Sequence, residues 1–310
     1  MLSFLPSTLK GLIAASLLIL NTLLLSIPLL VCALLKLIVP VPSFRLAMGK
    51  AANQIAELWI TINSGWMKLT QAMNLRVEGL EVLNPKGWYL ITANHRSWAD
   101  ITIMQHVLNK KAPFMKFFIK QELIWLPVAG LCWWAMDFPF MKRYSKAYLA
   151  KHPEKKGKDL ETTRQACAKF KDIPISIVNF LEGTRFTDGK HQKQCSPYRT
   201  LLKPKAGGIG HVLSAMGDQL NSMLNLTLYY DHNALSFWDF LCGRISSVHI
   251  HIEKKKIPAE FIGKDYQGDA DFRQAFQQWV NQLWEEKDKR LLMMEKQAQA
   301  EKASKVGLYQ

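Results

Sequence analysis

Between Lys10 and Lys36 the chain runs for twenty-five residues without a charge, GLIAASLLILNTLLLSIPLLVCALL. As a helix this run would span about 37 Å at about 1.5 Å per residue, against a hydrocarbon core of about 30 Å, so it is long enough to cross a membrane. A cleaved signal fits it poorly. The run exceeds the usual apolar region of about 7 to 15 residues, and no small-x-small cleavage site follows it before Pro40. Leu29-Leu30-Val31-Cys32 resembles a lipoprotein box only faintly, because Val31 stands where a small residue is expected. Lys10 precedes the run, and Lys36, Arg45 and Lys50 come after it with no acid before Glu57, so positive-inside bias places the rest of the chain in the cytoplasm. Pro28 allows a second geometry, in which the segment kinks, enters one leaflet and returns paired with the next stretch. Residues 44–73 supply that partner. Leu46, Ile55, Leu58, Trp59, Ile62, Trp66 and Leu69 fall on one helical face, as in an interfacial helix or an ordinary core helix.

Composition constrains the chain beyond the anchor. Hydrophobic residues at 49% with 21% charged exclude wholesale disorder, and a net charge of +15 favours an anionic partner: nucleic acid, a lipid headgroup face or a phosphorylated substrate. Five scattered cysteines without a C-x-x-C pair argue against a disulfide scaffold and a structural zinc, and fit a reducing compartment. Past residue 74, short apolar runs alternate with helical patterns, which predicts an α/β domain. Strands are expected at Trp88–Ala93, Ser176–Leu181, Leu224–Tyr230 and Val248–Glu253, and helices over 98–109, 158–171, 207–221 and 271–295. The last helix carries Phe272, Phe276, Trp279, Val280 and Leu283 on one face and is expected to fray beyond Glu285. Leu123–Met141 is apolar but contains Asp137 and prolines, so it reads as a buried or membrane-facing surface, with Trp125, Trp133 and Trp134 suited to an interface belt. The expected organisation is an anchor over 1–40, an amphipathic interfacial helix over 41–74, a catalytic-size domain over 75–295 and a polar tail over 296–310.

Two polar phrases stand directly after apolar strands. In Asn94-His95-Arg96-Ser97-Trp98-Ala99-Asp100 the histidine sits at a strand end, where an imidazole can act as a base. On a continuous helix, His95 and Asp100 would lie about 140° apart, so they meet only if the chain turns between them; Ser97 as a helix cap would supply the turn. Asp100 would then fix the ring tautomer and free the other nitrogen to take a proton from a hydroxyl. The plainer alternative is that Ser97-x-x-Asp100 is only a capping box. The second phrase is Phe180-Leu181-Glu182-Gly183-Thr184-Arg185-Phe186, in which Gly183 permits close backbone approach, Thr184 offers a hydroxyl and Arg185 a planar fork for phosphate. Two such phrases about 85 residues apart on a basic, membrane-tethered chain are more specific together than either alone.

Together they resemble the glycerolipid acyltransferases, which share an Asn-His-x-x-x-x-Asp motif and a downstream Phe-Pro-Glu-Gly-Thr-Arg motif. The resemblance extends over roughly residues 75–290. It includes Lys190-His191, Leu201-Leu202-Lys203-Pro204-Lys205-Ala206-Gly207, Ile257-Pro258 and Leu283-Trp284-Glu285-Glu286-Lys287-Asp288, which match the lysophospholipid branch. Leu181 replaces the usual proline, Lys142 stands where the middle motif has an acid, and the strand at Leu224–Leu228 lacks the family's proline.

The resemblance implies a single acyltransferase domain with a central mixed sheet flanked by helices. It implies His95 as general base with Asp100 as its orienting partner, and Glu182, Gly183, Thr184 and Arg185 as the acceptor phosphate site, joined by Arg143 and Lys205. Neither cofactor nor metal is implied. The acyl group would come from acyl-CoA or acyl carrier protein and pass to the sn-2 hydroxyl of lysophosphatidic acid or a related lysophospholipid. A bacterial inner membrane suits the short anchor, with membrane phospholipids as partners. An acceptor of another kind, a glycolipid or amino lipid, and a non-catalytic lipid-binding protein are the alternatives.

Other chemistries lack their motifs. Neither H-E-x-x-H nor a His/Cys quartet occurs, G-x-S-x-G is absent, and Gly207-Gly208-Ile209-Gly210 lacks the spacing of a dinucleotide fingerprint. Nucleic-acid binding rests on charge alone, and Lys254-Lys255-Lys256 reads as a solvated or headgroup-facing patch rather than a reader of bases.

Overall fold

The computed structural model describes residues 2, 4–141, 148, 151–152, 158–168, 173–220, 222–231, 236–264, 266 and 268–307. The uncharged run lies inside α1 (Ser7–Ile38), which continues through Pro28 rather than breaking there. A three-residue link leads to α2 (Pro42–Thr70), whose leading proline needs no N–H donor in the first turn. The helices run antiparallel. Leu2 N donates to Leu69 O at 2.9 Å near one end of the pair, and midway Asn21 Nδ2 donates to Trp59 O at 3.0 Å and to Asn63 Oδ1 at 2.8 Å. Trp59 Nε1 donates to Thr22 Oγ1 and Trp66 Nε1 to Asn63 Oδ1, both at 3.0 Å. Buried Ala14, Ala33, Ala52 and Ala56 keep bulk off the packed faces of the pair.

Among the described residues α1 is the one helix long and apolar enough to cross a membrane. Its outer stripe of Leu12, Ile19, Leu23, Ile27, Val31 and Leu34 is exposed. Both ends are nevertheless held to the domain: Gly11 lies against Trp238 and Cys242, and Lys36 forms an ion pair with Asp137. The Leu123–Met141 stretch folds into a short helical turn at Gln121–Trp125 and a helix, α4 (Ala129–Ala135), leaving Leu123, Trp125, Leu126, Leu131 and Trp134 exposed.

The remainder is α/β as expected. A six-stranded mixed sheet has the order β1-β8-β7-β2-β6-β3, with β1 at Asn74–Glu78, β2 at Tyr89–Ala93, β3 at Met115–Phe117, β6 at Ser176–Phe180, β7 at Ser222–Tyr230 and β8 at Ser247–Lys256. Only β7 and β8 pair antiparallel; the other neighbours are parallel. β4 (Ile119–Lys120) and β5 (Phe140–Met141) form a separate parallel pair. The four strands expected from sequence are present. β3, β4 and β5, two or three residues each, are too short for a periodicity signal, whereas β1 alternates polar and apolar residues over Asn74–Glu78 and was not expected. Helices lie on both faces: α3 (Ala99–Leu108) with α1 and α2 on one, and α5 (Lys158–Ala168), α7 (Gly207–Met216) and α9 (Ala270–Gly307) on the other, with α6 (Asp188–Gln194) and α8 (Phe237–Leu241) in the connections. All five residues of β2 are buried, as befits a strand covered on both sides.

Two helix expectations change, and a third is described only in part. α7 stops at Met216 because Gly217 adopts φ +53°, short of the expected 221. Residues 169–171 of the expected 158–171 helix lie outside the described residues. The terminal helix does not fray beyond Glu285, and the expected polar tail at 296–310 is helical as far as Gly307. Its buried face persists through Trp284, Lys287, Leu291 and Met294, at spacings of three or four residues, which keeps the helix seated on the domain.

The Asn21–Asn63 pair generates a prediction about the helix hairpin. A double-mutant cycle of Asn21→Leu and Asn63→Leu, read by unfolding in detergent micelles, should give a coupling of about 0.6 to 1.7 kcal/mol. A coupling near zero would mean that apolar packing alone holds the pair.

Candidate active site

Parallel register brings the two polar phrases together. β2 and β6 are adjacent, with Ala93 opposite Phe180, so the chain leaves both strands side by side at the carboxyl end of the sheet. Beyond the last ladder pair, Asn94 braces the exit: its amide donates to Leu228 O and accepts from Leu228 N, both at 2.9 Å. The chain then turns at residues 94–98 and enters α3.

The turn delivers His95 to Asp100, with Nδ1 and Oδ2 at 2.8 Å. The same carboxylate oxygen accepts from Arg96 N at 2.7 Å and Ser97 N at 3.1 Å, and Oδ1 accepts from Tyr230 Oη at 2.5 Å. Asp100 is fully buried. Because Oδ2 already accepts from two backbone amides, the histidine contact is a donation from Nδ1–H, which leaves Nε2 as the acceptor nitrogen. Nε2 makes no hydrogen bond among the described residues, and the side chain retains 15% exposure. The imidazole stacks on Phe180 with centroids 4.1 Å apart. Capping and orienting are both present in Asp100. Ser97 N donates to the carboxylate as in half of a capping box, while Ser97 Oγ accepts from Ala99 N rather than from Asp100 N.

Glu182 corrects an expectation. Placed by resemblance in the phosphate site, it is fully buried, and its two oxygens accept from His95 N at 2.8 Å and Leu202 N at 3.1 Å. It therefore holds two backbone segments and presents no oxygen to a substrate; a carboxylate would in any case repel phosphate. Burial pushes its carboxyl up to about 7, against the opposing pull of the two amides and Arg96.

Gly183, Thr184 and Arg185 form the surface of the turn. Gly183 has φ +67°, and a Cβ there would stand 3.3 Å from Lys205 Nζ, so the glycine gives Lys205 room to lie across the turn. Thr184 Oγ1 accepts from Lys190 Nζ at 2.8 Å, and Lys190 also donates to Arg185 O at 2.9 Å. The Arg185 guanidinium lies over the half-exposed Trp98 ring, 4.2 Å from its centroid. Arg185, Lys190 and Lys205 thus converge on the turn beside His95, as an anion site requires. Arg143, expected to join them, lies outside the described residues.

Three contributors to the site were not singled out by motif or spacing. Tyr230, at the end of β7, completes the Asp100 cage, and only its place as a phenol closing an apolar strand hinted at it. Phe180 backs the imidazole, although within its own phrase it is only the last apolar residue of a strand. Arg96 carries its guanidinium over Phe186, 4.4 Å from the centroid, and donates to Thr200 O at 3.2 Å, joining the histidine loop to the 199–202 loop.

The Glu182 carboxyl has a pH signature. It titrates at about 7 when folded against an ordinary 4.5, so between those values the native chain holds a proton that the unfolded chain has released. Stability from this group is full below 4.5 and is lost as pH rises through about 7. The unfolding free energy of the unaltered protein minus that of Glu182→Gln should therefore fall between about pH 5 and about pH 8. A flat difference would contradict the burial assigned to this group.

Comparisons with known proteins bear on the same segment. Residues 74–219 match the family model Acyltransferase. The mouse (Mus musculus) 1-acyl-sn-glycerol-3-phosphate acyltransferase gamma is 24% identical over 184 residues, covering 56% of this chain and 44% of the relative. The Arabidopsis thaliana 1-acyl-sn-glycerol-3-phosphate acyltransferase 3 is 22% identical over 235 residues, 70% of this chain and 59% of the relative. The match thus spans about half the length of these curated relatives. The crystal structure of the 1-acyl-sn-glycerophosphate (LPA) acyltransferase PlsC from Thermotoga maritima aligns with a TM-score of 0.45 at 16% identity, over 86% of this chain and 97% of that one. The family model thus covers both polar phrases, and over that segment the chain is similar to the glycerolipid acyltransferases.

Proposed function

We propose that the protein transfers a fatty acyl group from an acyl thioester, acyl-CoA or acyl carrier protein, to the sn-2 hydroxyl of lysophosphatidic acid or a related lysophospholipid. The observation that carries this reading is the His95–Asp100 contact at 2.8 Å, which leaves Nε2 as a proton acceptor beside a turn bearing Arg185, Lys190 and Lys205. The names of the acyltransferase relatives support the same acceptor.

In this mechanism His95 Nε2 takes the proton of the acceptor hydroxyl as its oxygen attacks the thioester carbonyl. The resulting imidazolium is stabilised by Asp100, whose own charge is satisfied by Tyr230 and two backbone amides. Collapse of the tetrahedral oxyanion breaks the C–S bond, and the imidazolium returns its proton to the departing thiolate. Ester and free thiol are the products, with no covalent enzyme intermediate. The acceptor phosphate pairs with Arg185, whose planar fork Trp98 holds from behind, and with Lys205. The exposed stripe of α1, together with Trp125, Leu126, Leu131 and Trp134, would face the apolar layer of a membrane, and charge bias puts the domain on its cytoplasmic side. A bacterial inner membrane fits this arrangement.

Membranes carrying the intact chain should move a labelled oleoyl group from oleoyl-CoA to lysophosphatidic acid. His95→Ala at matched expression should lose about 10² to 10⁴ of the rate. Arg185→Ala should raise KM for lysophosphatidic acid and leave a phosphate-free acceptor little affected. Equal transfer by the His95→Ala protein would remove the base assignment. Silence of the intact chain with both donors and a panel of lysolipids would favour a non-catalytic lipid-binding protein.

A further inference from the structure

The terminal helix α9 lies outside the segment that matches the acyltransferase family model, yet one of its faces reaches the histidine loop through two intermediates. Trp284, Lys287 and Asp288 fall at i, i+3 and i+4 and project together. Trp284 is fully buried, and its Nε1 donates to Leu202 O at 3.0 Å. Asp288 Oδ2 accepts from Arg199 N at 2.9 Å, and Oδ1 accepts from Thr200 N at 2.9 Å and Thr200 Oγ1 at 2.7 Å. Lys287 is buried and donates to Leu226 O, on the β7 residue opposite Ala93. The 199–202 loop is therefore gripped by α9 on one side. On the other it is tied to the site twice, by Leu202 N to Glu182 Oε2 and by Thr200 O to the Arg96 guanidinium. Glu182 Oε1 completes the path to His95 N.

We propose that Trp284 and Asp288 of α9 are positioning residues that set the place of His95, acting through the 199–202 loop and the Glu182 carboxylate. The effect rests on the acyl-transfer reading only for its kinetic consequence; the mechanical coupling stands independently of the reaction. Glu182 can hold His95 N in one place only if its other oxygen is itself fixed, and Leu202 is fixed by α9. An ordinary packing helix would fill the core with Trp284 without directing its N–H and a carboxylate at three backbone groups of one loop, those of Arg199, Thr200 and Leu202. The loop has no regular secondary structure to hold it. Displacing a base by about 1 Å costs up to about 10²-fold in rate.

The test uses the purified full-length protein in detergent micelles. Trp284→Phe keeps an aromatic ring, smaller than the indole, and loses the N–H; Asp288→Asn keeps the shape and loses one acceptor oxygen; Lys289→Ala, exposed on the same helix, is the control. Hydrogen–deuterium exchange of peptides spanning 94–98 and 199–203, and kcat and KM for oleoyl transfer to lysophosphatidic acid, are measured on each. Both variants should speed exchange in the two peptides and lower kcat by about 10- to 100-fold with KM within about threefold, while the control stays at the unaltered level. Unchanged exchange at 94–98, or a loss of thermal stability with kcat intact, would overturn the proposal and make the contact structural only. If the unaltered chain transfers no acyl group, the function proposed above fails, and the exchange result alone still decides whether α9 holds the His95 loop.

Discussion

The hydrogen bond from His95 N to Glu182 Oε1 joins the histidine loop to the Glu-Gly-Thr-Arg turn, and much of the site's geometry depends on it. A buried carboxylate is costly unless its oxygens are satisfied, so Glu182 must find donors, and it finds backbone amides on two separate loops. That requirement fixes where the loops stand relative to each other. The parallel pairing of β2 with β6 makes it possible, because it releases both segments at one end of the sheet. Asp100 repeats the pattern one turn away with four donors around one carboxylate, three of them from its own loop and one from Tyr230. The site is thus organised by two buried carboxyl groups, while the cations Arg185, Lys190 and Lys205 remain nearer the surface.

The helix hairpin is part of the same body. α1 exposes an apolar stripe yet is held at both ends, by Trp238 and Cys242 against Gly11 and by Asp137 paired with Lys36. Along the hairpin the amide of Asn63, the hydroxyl of Thr22 and two indole N–H groups meet inside the helix pair, where apolar contact alone gives little direction. The hairpin thus presents an apolar outer face beside a second exposed apolar group at Trp125, Leu126, Leu131 and Trp134.

Much of this was legible from local pattern. Strand periodicity located β2, β6, β7 and β8, and helical periodicity located α2, α7 and the first half of α9, because burial on one face leaves a repeat in the sequence. The His95–Asp100 spacing, the Glu-Gly-Thr-Arg turn and the glycine at 183 were equally plain, since each is written within seven residues. β3, three residues long, left no repeat, whereas β1 alternates polar and apolar residues over Asn74–Glu78 and was not among the expected strands.

What the sequence by itself determined was the set of parts: a long apolar helix, an α/β domain, a histidine with a carboxylate nearby, and a basic turn. The tertiary structure decided what those parts touch. It moved Glu182 from an expected substrate contact to the buried link between His95 and Leu202, and recruited Tyr230 from 130 residues away to Asp100. It also paired Asp137, an isolated acid in an apolar stretch, with Lys36, and carried α9 through what looked like a polar tail. The reason is common to all four: what a residue packs against, and the partner that satisfies it, are set by segments far apart in the chain, whereas periodicity and motif spacing report only neighbours.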